Sequence, residues 1–263
     1  MVSFVDDGRV YKSVLKGIKD RGALVFMQLD PPRYSPELSG KIAKAAEDAG
    51  VFAIAVGGSV GAQGQLLEDT LSAIKKVSKI PTILFPGNIA TLSPKADAVY
   101  FMSMLNSMDP YWISGAQISA ADPVRRMKLE VIPTSYIIIE PGMAVGYIGH
   151  AKCVPRDKPY LAAVTALAGE YMGSKLVILE SGGGAPQPAP PELVAASKKV
   201  LSVPLLVAGG VRDEKFAYET TKAGADIIQV GSAVEEASKD LKSVSVRLRA
   251  LVEAAEKGAK ERK

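Results

Sequence analysis

Apolar residues fall in short, largely apolar runs along this chain, at 23–29, 52–56, 82–85, 98–104, 135–140, 175–180, 204–208 and 226–230. Continuous hydrophobicity, rather than apolar–polar alternation, marks strands covered on both faces, as in a parallel sheet. Most segments between the runs carry helical spacing. Ser35 is placed to cap a helix with Pro36 at its first position; Leu38, Ile42 and Ala46 line one face and Gly50 ends it. Leu67, Leu71, Ile74 and Val77 form a second stripe. Asp213 is placed to cap a helix burying Phe216, Ala217 and Thr220, stopping at Gly224. A last helix is predicted from about Ala233, with Leu241, Val244, Leu248, Leu251 and Val252 inward.

Eight strands alternating with helices predict a single α/β domain over 1–263, a (β/α)8 TIM barrel. One unit breaks the pattern. Only residues 86–97 join the third and fourth strands, with two prolines and a glycine. That is about the minimum for a parallel crossover and poor helical material, so the third barrel helix is expected to be missing or replaced by an extended segment. A second irregularity, 141–159, is long for a strand-to-helix loop and reads as a mobile lid or a subunit contact.

Composition removes several function classes. One cysteine, Cys153, and one histidine, His150, exclude a disulfide framework and any multi-Cys or multi-His metal site; both residues read as structural. The formal charge of +4 lies partly in the run 257–263, a solvated helix end, which gives no case for nucleic-acid binding. No apolar stretch is long enough to span a membrane, and the first residues are acidic where an export signal is basic, so a cytoplasmic protein is expected.

The candidate chemistry lies at the strand ends, where barrels of this kind place their sites. The sixth strand ends in Leu179, Glu180, Ser181, Gly182, Gly183 and Gly184. The seventh ends in Gly209 and Gly210, the eighth in Gly231 and Ser232. Glycines let backbone amides approach an anion. They also permit tight turns, but three consecutive strand ends of this kind favour a phosphate cradle. Glu180, at the end of an apolar strand, is expected to contact a hydroxyl of a bound phosphate ester, with a raised pKa suited to a general base; bonding to loop amides is the structural alternative. Asp30 ends the first strand and Ser59 the second. Asp30 could cap a turn, or with the Ser59 hydroxyl hold a hard cation such as Mg²⁺. Phe101, Met104 and Tyr136, with Met102, Met108, Tyr111 and Trp112, make the fourth and fifth strand ends apolar. Core packing or an interface explains such residues as well as a ligand groove does. Opposite a phosphate site, they suggest a lipid-like second substrate.

These segments, in this order, resemble the geranylgeranylglyceryl phosphate synthase family of archaea over nearly the whole chain. The carrying stretches are Leu29-Asp30-Pro31, Val56-Gly57-Gly58-Ser59, Ser103 to Ser107, Ile178 to Ala185, Gly209-Gly210-Val211-Arg212 and Gly231-Ser232. Glu140-Pro141-Gly142 and Gly146-Tyr147-Ile148-Gly149 resemble the larger of two subgroups. The resemblance implies a prenyltransferase on a modified TIM barrel. It would join the C3 hydroxyl of sn-glycerol 1-phosphate to geranylgeranyl diphosphate, with Mg²⁺ at Asp30 and Ser59. Glycerol phosphate would lie along Ile178, Leu179, Glu180, Ser181, Gly182, Gly183 and Gly184, with Gly209, Gly210, Gly231 and Ser232. Dimers or larger rings are implied. Gln28 departs from the lysine of some relatives and Ile178 from the tyrosine of many. Two other readings stay open on residues alone: a sugar-phosphate isomerase or aldolase-like barrel, and a phosphate-ligand sensor without turnover.

Overall fold

The computed structural model describes residues 7–237 and 240–262. Eight parallel strands close into a barrel in chain order: β1 (Leu24–Leu29), β2 (Ala53–Gly58), β3 (Thr82–Pro86), β4 (Ala98–Met104), β5 (Glu130–Ile138), β6 (Leu176–Glu180), β7 (Leu205–Ala208) and β8 (Ile227–Val230). The helices are α1 (Arg9–Arg21), α2 (Pro36–Asp48), α3 (Gly64–Val77), α4 (Ala116–Met127), α5 (Met143–Ile148), α6 (Pro159–Tyr171), α7 (Pro191–Val200), α8 (Glu214–Lys222), α9 (Ser232–Ala237) and α10 (Leu241–Lys260).

Two apolar layers explain the largely apolar runs. Phe26, Tyr100, Ile178 and Leu206 fill the barrel interior, while Met27, Val99, Leu179 and Val207 face the helices. Neighbouring residues of one strand therefore serve different cores, so polar positions such as Gln28 and Gln229 are few. Ser35 accepts from the Leu38 amide and Asp213 from the Phe216 amide, so both expected caps form. Residues 87–97 contain no helix, as their composition predicts.

Elsewhere the chain departs from the pattern. β5 starts at Glu130, five residues ahead of its expected run, because Glu130 to Thr134 also pair with β4. Val77 is exposed, so the α3 stripe ends at Ile74. The last helix is two: Asp240 caps α10, taking the Lys242 and Ser243 amides. The segment 141–159 carries α5 and α6's entry, and is tied down by Asn106, whose amide donates to the Ile138 and Lys152 carbonyls.

α1 has no counterpart among the expected elements. Val10, Tyr11 and Val14 pack with the interior cluster, although Val10, Val14 and Ile18 already stand at helical spacing in the sequence. Glu130, the first residue of β5, accepts the Val10 and Tyr11 amides, both at 2.7 Å. The otherwise unbonded first turn of α1 is thereby docked on the N-terminal end of a strand. Functional residues are left to the opposite end.

Candidate active site

A cavity of about 610 Å³ opens at the C-terminal ends of the strands. Its wall includes Asp30, Ser59, Glu180, Gly183, Gly184, Gly209, Gly210, Gly231 and Ser232, together with Phe101, Met104 and Tyr136. Strand ends far apart in sequence meet here because every strand runs the same way around a closed sheet.

Glu180 is buried at its edge. Its Oε1 accepts the Gly182 amide at 2.6 Å and its Oε2 the Tyr136 hydroxyl at 3.2 Å. Burial pushes the carboxyl up to about 7, and the two hydrogen bonds only partly oppose it. Burial, with the facing Glu180 charge, raises the Tyr136 phenol, which therefore stays a donor. Glu180 thus bonds a loop amide, as the structural alternative expects, and also lines the cavity.

The glycines divide into two kinds. A Cβ on Gly209 would overlap Glu180 Oε1, and one on Gly210 would overlap the Gln187 backbone. Both hold φ near +77°, at +76° and +78° respectively, where side chains are strained. These two let the β6 and β7 loops touch. A Cβ on Gly183 or Gly184 would meet nothing within 4 Å. Those two leave space at the cavity wall, where a ligand can reach the backbone. Arg212 fixes the loop by donating to the Gly184 and Ala185 carbonyls, at 2.8 and 3.2 Å.

Four residues of the expected phosphate site stand back from the wall. Ile178 lies in the barrel interior and Leu179 in the outer layer, both fully buried by strand alternation. Ser181 is buried, and Gly182 packs on the Gly142 carbonyl and Met143. The tyrosine-to-isoleucine departure at Ile178 thus falls in the core.

At the first strand's end, Asp30 Oδ1 is buried with no hydrogen-bond partner, while Oδ2 accepts from Arg33 Nε at 3.2 Å. Burial raises the Asp30 carboxyl, and Arg33 offsets it in part. Gly58 lies against this carboxyl and leads to Ser59. Among the described residues no cluster of three or more His, Cys, Asp or Glu could hold a metal. Gln28 donates to the Gly57 carbonyl at 2.5 Å and accepts from Gln229 at 2.8 Å; Gln229 accepts from Tyr100 at 3.3 Å. This neutral chain across the floor of the cavity stands where a lysine contact was in question, and it was invisible in the sequence because its members are some 70 to 200 residues apart.

The apolar part begins where β3 and β4 separate after Ile83–Ala98 and Leu84–Val99. The wall there includes Ile89 and Leu92 from the helix-less connection, and Trp112, Ala116, Ala120 and Val124 from the α4 region. It takes in the inward Tyr100 and Met102 as well as the outward Val99 and Phe101. The cavity therefore passes from the barrel mouth over the edge of β4, into the place a third barrel helix would fill. Val145 and Ile148 of α5 close one flank.

The PcrB family model matches residues 18–254. The chain is 52% identical over 218 residues to the geranylgeranylglyceryl phosphate synthase of Thermococcus kodakarensis, covering 83% of this chain and 86% of that one. It is 50% identical over 230 residues to that of Thermococcus gammatolerans, covering 88% and 91%. The structure superposes with a TM-score of 0.89 on (S)-3-O-geranylgeranylglyceryl phosphate synthase from Thermoplasma acidophilum in complex with its substrate sn-glycerol-1-phosphate, at 35% identity, covering 97% of this chain and 99% of that one. A glycine-walled, carboxylate-edged cavity and likeness over nearly the full length agree: the chain belongs to the PcrB family and, within it, to the geranylgeranylglyceryl phosphate synthases.

Proposed function

We propose that this enzyme joins the C3 hydroxyl of sn-glycerol 1-phosphate to geranylgeranyl diphosphate, releasing diphosphate and making the first ether bond of an archaeal membrane lipid. The observation that carries the reading is one cavity with a glycine wall and a buried glutamate at one end and an apolar channel at the other. The glycerol phosphate lies on Gly183, Gly184, Gly209, Gly210, Gly231 and Ser232, presenting its hydroxyl to Glu180. A carboxylate whose pKa lies near 7 keeps enough basicity to take that proton as the ether bond forms. Tyr136 holds the carboxylate in place. The prenyl chain runs past Met104 and Phe101, where the apolar wall keeps water from the carbon being attacked.

The residues fit a hard cation. Asp30 Oδ1 is an orphaned buried acceptor, and Ser59 offers a hydroxyl on the same wall. Both would hold Mg²⁺, leaving the other positions to water and diphosphate oxygens. When bound, the ion stabilises negative charge on the departing diphosphate. The wall of described residues has no lysine, which an aldolase-type Schiff base needs. Among the described residues no helix is long and apolar enough to cross a membrane. The proposal places the enzyme in the cytoplasm as a homo-oligomer.

Mass spectrometry of products from sn-glycerol 1-phosphate, Mg²⁺ and C15, C20, C25 or C35 donors tests the reading. The C20 ether is the expected main product. Absence of any ether product from folded protein would overturn the proposal, and tight ligand binding without turnover would point to a sensor.

A further inference from the structure

Arg33 ends the short 3-10 turn Pro31–Arg33 that follows β1. It donates through Nε to Asp30 at 3.2 Å and through Nη1 to Glu235 of α9 at 2.7 Å. This clasp joins the ends of the neighbouring strands β1 and β8 at the rim of the cavity mouth. Among the described residues of the wall, Arg33 is the one cationic side chain, on a wall that also carries Asp30, Glu180 and Glu235. A prenyl diphosphate is multiply anionic. The glycine loops offer it dipoles but no formal charge, and the acidic side chains repel it. A lone guanidinium at the mouth is the wall's own counter-charge, and its planar fork suits diphosphate oxygens.

The clasp is built to exchange partners. Arg33 is 55% exposed, so its side chain has room to turn. Asp30 spends only Oδ2 on it, and Oδ1 remains unpartnered. A cation at Oδ1 would draw the carboxylate's charge away from the guanidinium and loosen that half of the clasp. Glu235 then competes with the incoming donor for Arg33.

We propose that Arg33 is a donor-binding residue, held by Asp30 and Glu235 until the diphosphate of the prenyl donor takes its guanidinium. The inference deepens the synthase reading and rests on it.

Titration calorimetry with inorganic diphosphate and Mg²⁺, and steady-state kinetics with both substrates, test it on the full chain. Arg33→Gln is expected to weaken diphosphate binding and raise the donor KM by about 10- to 100-fold, the loss of charge-assisted hydrogen bonds. The glycerol phosphate KM should stay within about 3-fold, because the glycine loops are untouched. Arg33→Lys should recover part of the loss, keeping charge without the fork. Glu235→Gln frees the guanidinium and should tighten diphosphate a few-fold. A static tether between β1 and α9 predicts the reverse for Glu235→Gln: weakened binding and a lowered melting point, as for Arg33→Gln. That result, or wild-type diphosphate affinity in Arg33→Gln, would overturn the inference. Wild-type protein making no ether product would instead sink the synthase reading, and the diphosphate titrations would still decide Arg33.

Discussion

The two ends of the cavity are built in opposite ways. At β6 to β8 the loops touch: Gly209 packs on Glu180 and Gly182, Gly210 on Gln187, and any side chain would collide. At β3 to β4 the strands pair at two positions and then part, and the crossover that would bring a helix carries none. The first end is close-packed, which suits the phosphate cradle proposed for it. Pre-set dipoles cost no rearrangement when charge arrives. The second is open because a long chain needs volume, which the sheet yields only by giving up ladder bonds and a covering helix. One barrel thus offers a tight polar grip and a loose apolar channel a few residues apart.

The largest expected effect breaks the rigid end. Glu180→Gln should lower turnover by about 10²- to 10⁴-fold, the usual loss of a general base, with donor KM little changed. The wild-type rate should climb with pH through about 7, as Glu180 ionises, in a pH–rate profile. Gly209→Ala should come next. Its Cβ would drive Glu180 off its position at a φ that alanine resists, costing about 2 kcal/mol or more in denaturant unfolding, with activity lost. Gly183→Ala contrasts with it: open space surrounds that Cβ, so the melting point should hold while the glycerol phosphate KM rises about 10-fold. If Gly183→Ala unfolds the protein, the cradle is a packing feature.

The open end predicts selectivity changes rather than losses. Ala120→Phe places a ring in the channel and should move donor preference from C20 toward C15 in competition assays, leaving the glycerol phosphate KM unchanged. An unchanged product spectrum would mean the chain takes another route. The last effect is on the pH dependence of stability. The folded Glu180 carboxyl binds its proton more tightly than an unfolded one, whose value is 4.5. The native state therefore holds more protons between 4.5 and about 7, and stability falls as pH rises through that window, by roughly 3 kcal/mol at most. Melting curves of Glu180→Gln should lack this slope.

Much of this contrast could be read along the chain. Eight apolar runs, three glycine strand ends and the prolines of 86–97 each report a local requirement: double burial, close backbone approach, no helix. The Ser35 and Asp213 caps were equally local. Which glycines face the ligand was not legible, because Gly183 and Gly209 look alike until neighbouring loops are in place. Ile178 and Leu179 show the same limit, since strand alternation turns them into two cores beneath the loop. Arg33 had only one sequence signal, a lone cation three residues past Asp30, and its partner Glu235 lies 202 residues away.

Sequence alone determined the barrel, its missing helix, the glycine cradle and the carboxylates at its edge. Each depends on a residue's own conformational freedom or on burial repeated along the strand. Only the tertiary structure decided that Glu180 is a buried carboxyl held by Tyr136, that Asp30 keeps one oxygen unpartnered, and that the channel leaves between β3 and β4. Those properties are set by distances between residues far apart in the chain, and closure of the sheet fixes them.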